Sequence, residues 1–226
     1  MSVSDYKNAS FGYVFLSMNV GWTMTLEKSD IKVNVTTLDP SFLQSLKSCN
    51  VSVCENLTKG SYLYHQGDTA DAFFFAESGL IGLYHVVDNG KESLIRLYES
   101  GQFFGYRTWF SSQKTYHCSA KMLIPAKVWR ITPYGSNFLA DNTDLMEHFM
   151  AAISDELANA ESRLAHMSYD KSLTRVSDAL NFLKTRYPVY PWSYREIAEF
   201  AGCETETAIR IARKLIKEGK LPEPTK

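Results

Sequence analysis

Residues 193–217 (SYREIAEFAGCETETAIRIARKLIK) constrain the fold more than any other stretch of the chain. Ser193 and Glu196 have the spacing of a capping box, which predicts the start of a short helix. Gly202 follows at a sharp turn, a position that commonly requires a positive φ. A second helix is predicted beyond it, because apolar residues recur there at roughly 3.6-residue spacing. These apolar residues are Ala208, Ile211, Ala212 and Leu215. The pattern predicts a helix-turn-helix, whose second helix lies in the major groove of DNA. An ordinary antiparallel helix pair with a charged, solvated face is the alternative.

Charge is unevenly distributed along the chain, whose net charge is −1. Residues 171–226 carry 11 basic and 7 acidic side chains, a balance of +4, which leaves −5 for residues 1–170. A basic end behind an acidic body suits a polyanionic partner at that end only. The hydrophobic content of 45% and the charged content of 22% are those of a soluble globular protein.

The four cysteines are scattered and form no CxxC pair, which favours reduced thiols in a cytoplasmic protein. A thiol switch between Cys49 and Cys54 is an alternative to idle thiols. No apolar run approaches the ~20 residues of a membrane helix. Residues 11–22 are apolar but lack a basic flank and an A-x-A-like cleavage site, so we expect a non-secretory extension. Nothing in the spacing of histidine and cysteine predicts a metal site.

Short strands are predicted from Val51 to Thr132, where turn signals alternate with β-branched and aromatic runs. Asn89-Gly90 between two such runs is a strong hairpin signal. The predicted strands include 72–76, 80–87, 93–98 and 126–132, with a turn at Ser78-Gly79 between the first two. This pattern is typical of a sandwich or small barrel. We expect aromatic residues to fill its interior: Phe73, Phe75, Phe103, Trp109 and Trp129. A short helix is predicted before it, at Asp39–Leu46.

A long helix is predicted at 135–166, because apolar residues recur there at steps of three and four. These residues are Met146, Phe149, Ile153, Leu157, Ala160, Leu164 and Met167. The stripe is long enough to favour pairing with the same helix of a second copy, by coiled-coil logic. The alternative is a helix that lies on its own barrel. Another helix is predicted at 178–187, before Pro188.

This order of parts resembles the bacterial regulators that include the cyclic AMP receptor protein and the fumarate-nitrate regulator, the CRP/FNR family. The similar segments are KGSYLYHQGDTADAFFFAESGLIGLY at 59–84, GQFFGYRTWF at 101–110 and IAEFAGCETETAIRIARKL at 197–215. The resemblance implies an α+β fold with an extension (1–36), a cyclic-nucleotide-binding-like barrel or jelly roll (37–134), a dimerisation helix (135–168) and a helix-turn-helix domain (169–226). It also implies a cytoplasmic homodimer on a palindromic DNA site, with RNA polymerase as a further candidate partner.

The family reads DNA through a Glu and an Arg four residues apart, which correspond here to Glu206 and Arg210. Arginine forks onto O6 and N7 of guanine, and a carboxylate accepts from N4 of cytosine, so the two suit one G·C base pair. Thr205 replaces an arginine of the cyclic AMP-responsive member, which alters one base contact. Ile209 faces the groove or packs at the helix edge. Phosphate contacts are expected from Ser193 and Arg213.

The family's nucleotide-binding cassette is degenerate in this chain. The turn at 101–105 is kept, but its ribose-binding Glu is replaced by Tyr106, and its phosphate-binding Arg and Ser by Tyr116 and His117. The adenine-contacting hydroxyls fall near Ala160 and Glu161. A buried phosphodiester without a cation is costly, so we do not expect cyclic AMP as effector. The degenerate pocket, predicted at 104–106 (Phe104, Gly105, Tyr106) and 116–117, holds a less charged ligand or is a filled core.

Two further departures bear on function. Pro222 and Pro224 cannot donate to a strand ladder, so we expect the family's β-hairpin wing to be reduced or absent. An iron–sulfur sensor needs a cysteine cluster that is not present here. A ligand-sensing or protein-interaction module with weakened DNA binding is therefore the alternative function. The sequence has no Gly-rich phosphate loop, HExxH or GxSxG motif, so we expect no enzyme activity and no cofactor.

Overall fold

The structure, a computed structural model, describes residues 40–220 as an antiparallel sheet followed by helices. The strands are β1 (Cys49–Cys54), β2 (Tyr62–Tyr64), β3 (Phe73–Val86), β4 (Glu92–Glu99), β5 (Gln102–Phe104) and β6 (Ser119–Pro133). The helices are α1 (Phe138–Asp141), α2 (Thr143–Tyr169), α3 (Ser172–Arg186), α4 (Tyr194–Ala201) and α5 (Thr205–Lys217). Two 3₁₀ helices span Pro40–Ser45 and Tyr106–Trp109. The predicted α+β class is confirmed.

The sheet has the order β1-β6-β3-β4, with β2 paired to β6 and β5 paired to β3. The hairpin predicted at Asn89-Gly90 joins β3 to β4. There the Val87 amide donates to the Lys91 carbonyl at 3.0 Å, and Gly90 has a φ of 79°. The glycine is required because a positive φ is strained for other residues.

A single 14-residue strand, β3, replaces the two strands predicted around Ser78-Gly79. The predicted turn is wrong: the register against β6 shifts between Ala76 and Ile81, and the chain continues in the same direction. Gly79 has a φ of 97°, and a Cβ on it would lie 2.5 Å from Cβ of Ala126. Only glycine fits this bulge, so the turn signal marked an irregularity inside a strand.

Both faces of β3 are buried. On one face, Phe74, Ile81 and Leu83 line the barrel interior with aromatic residues from other strands. On the opposite face, Phe73 and Phe75 pack against α1 and α2. The prediction that Phe73, Phe75, Phe103, Trp109 and Trp129 fill the interior is therefore wrong. These five lie in the layer between the sheet and the helices. For the four that lie in strands, the reason is that alternate residues of a strand point to opposite faces; Trp109 lies in the 3₁₀ helix at Tyr106–Trp109.

The outer face of the sheet is also covered at its other end, by the C-terminal helices. We call this part of the sheet the docking face; its residues are Leu80, Tyr84, Leu94, Leu97 and Leu123, all at most 4% exposed. They share one buried cluster with residues of α3, α4 and α5. At the edge, Arg195 pairs with Glu92 at 2.9 Å, and Lys91 pairs with Glu204. The barrel and the helix-turn-helix thus share a hydrophobic core, which limits their relative motion.

The long helix predicted at 135–166 is interrupted at Asn142, between α1 and α2. The Asn142 side chain donates to the Lys47 carbonyl at 3.0 Å and to the Phe138 carbonyl at 2.6 Å, and it accepts from the Lys47 amide. These bonds replace helical ones and connect the break to Lys47, which lies just before β1. The following helix, α3, begins at Ser172, six residues before the predicted start at Asp178.

Several predictions lie outside the described residues: the extension at 1–36, the first residue of the short helix at Asp39 and the reduced wing at 222–226. Within residues 40–220, no helix is long and apolar enough to cross a membrane.

Candidate nucleic-acid interface and barrel pocket

The helix-turn-helix forms as the local sequence predicts. The Ser193 hydroxyl accepts from the Glu196 amide at 3.2 Å, and the Glu196 carboxylate accepts from the Ser193 amide at 2.9 Å, which completes the capping box. Gly202 ends α4 in the left-handed region, with a φ of 65°. The four apolar residues predicted for α5, Ala208, Ile211, Ala212 and Leu215, are all buried. Local signals therefore place α5 against α4 and α3.

The predicted DNA-contacting residues lie on the opposite side of α5. Glu206, Arg210 and Arg213 are exposed, and Thr205 and Ile209 are half-buried. Within residues 40–220, the side chains of Glu206, Arg210 and Arg213 make no ion pair or hydrogen bond. They are therefore free to contact an external partner.

Several other charged groups of the helix-turn-helix are already engaged. Arg195 pairs with both Glu92 and Glu199, and Glu204 pairs with Lys91 of the β3–β4 hairpin. Ser193 is exposed, but its hydroxyl is bonded to Glu196, so a phosphate contact there competes with the cap. Contacts with the barrel involve the edge of the helix-turn-helix. The side of α5 that is predicted to face the DNA groove remains exposed.

The apolar stripe of α2 differs from the predicted one at a single position. Phe149 is 1% exposed and stacks on Tyr106, with ring centroids 4.3 Å apart, so it packs into its own chain and not outward. Met150 occupies the corresponding outward position and is 52% exposed. Leu157 and Leu164 are more exposed still, at 58% and 68%. Phe149 is therefore a correction to the predicted interface.

The outward stripe of α2 alternates steps of four and three residues, as in a coiled-coil seam. Its members are Met146, Met150, Ile153, Leu157, Ala160, Leu164 and Met167. We call this set the stalk stripe. A strict alternation of four- and three-residue steps from Met146 includes Met150 and omits Phe149. The sequence alone could therefore have distinguished the two residues.

The predicted pocket is filled by its own side chains. Tyr116 stacks on Tyr64 with ring centroids 3.8 Å apart, and its hydroxyl donates to the Ala72 carbonyl at 2.7 Å. Phe104 and Tyr106 are also buried. The remaining cavity measures ≈ 10 Å³, about one water molecule. Ligand pockets are typically about 300–1,000 Å³, so this state of the barrel excludes a nucleotide.

His117, at the edge of this cavity, is uncharged near neutral pH. Its Nε2 lies 3.1 Å from an Arg107 guanidinium nitrogen, which can only donate. Loss of hydration and the neighbouring Arg107 charge lower the pKa of His117 to about 4. His117 therefore supplies an acceptor for Arg107 and no cation for a phosphate.

A half-buried carboxylate, which the sequence did not predict, lies beside the pocket. Glu156 of α2 accepts from the hydroxyls of Tyr98 at 2.7 Å and Tyr106 at 3.1 Å. An Arg96 guanidinium nitrogen lies 2.6 Å from its second oxygen, as an ion pair and not an aligned hydrogen bond. The only sequence signal was an acidic residue beside the apolar stripe, which is also typical of a solvated face.

The thiol switch is excluded by distance. Cys49 and Cys54 are the first and last residues of β1, so they lie about 16 Å apart at about 3.3 Å per residue. A disulfide requires Cα atoms within about 7 Å. Burial also raises the pKa of both thiols, which lowers their reactivity. The part of the chain from 40 to 220 holds no cluster of three or more His, Cys, Asp or Glu residues suited to a metal ion.

Comparisons with known proteins agree with this architecture. Residues 54–134 match the model of the cyclic nucleotide-binding domain. The chain is 45% identical over 115 residues to an uncharacterized protein of Haemophilus influenzae, which covers 50% of this chain and 88% of that protein. It is 25% identical over 166 residues to the cyclic AMP receptor protein of Thermus thermophilus, which covers 71% of this chain and 76% of that one.

Solved structures show the same fold. The chain is similar to the c-di-GMP-responsive global regulator CLP of Xanthomonas campestris, with a TM-score of 0.71 and 17% identity over 83% of this chain and 96% of that one. The resemblance drawn from the sequence is confirmed. The chain contains a cyclic nucleotide-binding domain and is homologous, in sequence and in fold, to the transcription regulators of the CRP/FNR family.

Proposed function

We propose that the protein is a homodimeric transcription regulator that binds a palindromic DNA site and does not respond to cyclic AMP. Two copies pair through the stalk stripe and present their α5 helices to successive major grooves, about 34 Å apart. Glu206 and Arg210 contact the two bases of one G·C pair. Arg213 contacts the phosphate backbone and fixes the register.

The main support for this proposal is that some charged side chains of the helix-turn-helix are paired with the barrel and others are not. Arg195 and Glu204 are neutralised by the barrel, whereas Glu206, Arg210 and Arg213 are exposed and have no side-chain partner within the described chain. A glutamate and an arginine that lie one turn apart on the exposed face of α5, with no side-chain partner in the described chain, match the donor and acceptor pattern of a base pair.

Replacing Arg210 by alanine should weaken binding to the selected DNA site by about 1–3 kcal/mol and relax one base position in the sequence logo. The physical reason is loss of the bidentate contact to guanine. Lys217→Ala is the matched control, because it removes one exposed positive charge from the last turn of α5. In vitro selection with both variants measures the effect.

The control should lower affinity for all sequences about equally and leave the logo unchanged. An unchanged logo for Arg210→Ala would refute the assignment of Arg210. A genomic pull-down with no enriched motif, together with a stable protein partner, would instead favour a protein-interaction module.

Cyclic AMP should leave the thermal midpoint of the protein unchanged. The pocket is filled by Tyr64 and Tyr116, and Arg107 at its edge is already engaged by the neutral His117 and by Glu156. A ligand present at about 100 times its Kd stabilises the folded state by about 2.7 kcal/mol, so binding would be visible as a raised midpoint. Differential scanning fluorimetry across a cyclic AMP titration measures this, with AMP as the control nucleotide. A saturable rise with cyclic AMP alone would contradict the proposal.

A further inference from the structure

Glu156 differs from the other acidic residues of α2. Its side chain is 13% exposed, whereas Glu147, Asp155 and Glu161 lie on the exposed surface of the same helix. Its two oxygens are held by Tyr98, Tyr106 and Arg96 at 2.7, 3.1 and 2.6 Å. A carboxylate loses hydration at such a site and is stable there only with a paired cation and donors.

The cation that faces Glu156 is also largely withdrawn from solvent. Arg96 of β4 has a side chain 14% exposed, and Glu156 is the carboxylate that pairs with it in the described structure. Arg107 approaches the same carboxylate at 4.0 Å and also lines the small cavity in the barrel. Two guanidinium groups, those of Arg96 and Arg107, therefore face one carboxylate of the chain itself; we call this arginine pair the cationic wall.

A second contact of α2 lies seven residues later, on the same side of the helix. Arg163 donates to the Ile95 carbonyl, which is the residue next to Arg96 on β4. It also donates to the Phe200 carbonyl at 3.3 Å, and its guanidinium lies 5.0 Å from the centre of the Phe200 ring. Phe200 is the penultimate residue of α4. Glu156 and Arg163 together fix α2 to two consecutive residues of β4 and to the helix-turn-helix.

We propose that Glu156 is an internal counter-ion for the cationic wall. Its carboxylate takes the place of an external anion, and it fixes α2 against β4 so that the α5 helices are set for DNA without a bound effector. The inference rests on the proposed function for its DNA readout, but the carboxylate site itself is testable without DNA.

Carboxylate rescue of Glu156→Ala tests this assignment. The variant leaves Arg96 without its counter-ion and opens space for a small anion. The dissociation constant for the DNA site should rise about 5–150-fold, the usual range of a coupling between sites. Acetate, titrated against chloride at constant ionic strength, should restore both the thermal midpoint and the DNA affinity of this variant. The wild-type protein, purified free of small molecules, should bind DNA and show no acetate-specific effect.

Asp155→Ala is the matched control, because it removes an exposed carboxylate from the neighbouring position of α2. It should behave as the wild type in both measurements. Glu156→Gln serves if the alanine variant does not fold, because it keeps an acceptor for the tyrosines but leaves the Arg96 charge unbalanced. Its DNA affinity should also fall.

Three results would overturn the inference: wild-type affinity in the glutamine variant, no acetate-specific rescue in the alanine variant, or rescue of stability without any recovery of DNA affinity. A wild-type protein that binds DNA only after a cell metabolite fraction is added would overturn it too. If the wild type binds no DNA at all, the proposed function fails, and acetate-specific recovery of the thermal midpoint still decides whether Glu156 fills an anion site.

Discussion

Replacing Leu157 and Leu164 together by glutamate should convert the protein to a monomer and reduce affinity for a palindromic DNA site by about 10²–10⁴-fold. The two leucines are the most exposed large side chains of the stalk stripe, at 58% and 68%. Four carboxylates would then meet across the two-fold interface, where desolvation and like charge both oppose association. The loss in affinity follows because two linked contacts bind more tightly than one by roughly this factor.

Analytical ultracentrifugation and a gel-shift titration measure the two effects. The matched control is Ala158→Glu with Ala165→Glu, which places the same charges seven residues apart at exposed positions beside the stripe. This control should remain dimeric and bind DNA nearly as the wild type. A dimer that persists in the leucine variant would show that α2 does not form the interface. Full DNA affinity in a monomer would contradict binding of a dimer to a palindromic site.

Replacing Leu94 by alanine should destabilise the whole described chain by about 2–5 kcal/mol, the cost of a cavity in a packed core. Leu94 is 0% exposed and belongs to the cluster of the docking face, not to the cluster of the barrel interior or to the lining of the pocket. Because the docking face is shared, barrel and helix-turn-helix should lose stability together. Denaturant unfolding followed by fluorescence of Trp192 in one part and of the barrel tryptophans in the other measures this.

Val87→Ala is the control for this experiment, since Val87 is 44% exposed in the β3–β4 hairpin. Its effect should stay within about 0.5 kcal/mol, as for other surface substitutions. Two separate transitions, with only the barrel transition shifted by Leu94→Ala, would contradict a shared core.

Local signals account for the parts that were predicted correctly. The capping box at Ser193, the glycine at 202 and the hairpin at Asn89-Gly90 each depend on a few neighbouring residues, so their geometry follows from sequence alone. Regular spacing likewise identified the buried face of α5. The positions of the buried residues also predicted that Glu206 and Arg210 are exposed, because these two lie on the opposite side of the helix.

The errors arose where distant residues decide the structure. Ser78-Gly79 resembles a turn, but pairing of β3 with β6 on both sides turns it into a bulge. Phe149 resembles a stripe residue, but the face of Tyr106 holds it inward. In the sequence Glu156 resembles a solvated residue, but in the structure Arg96 of β4 lies against it. None of these partners is near in sequence, so periodicity could not identify them.

The shared docking face has a consequence for how the protein is made. Leu80 and Tyr84 are covered by helices that begin about 90 residues later in the chain, so the nascent barrel leaves the ribosome with an apolar surface open to water. N-terminal parts generally fold first during synthesis, and surfaces exposed at that stage promote aggregation. A nascent chain halted before α3 should therefore be prone to aggregation and should depend on chaperones until the last helices emerge.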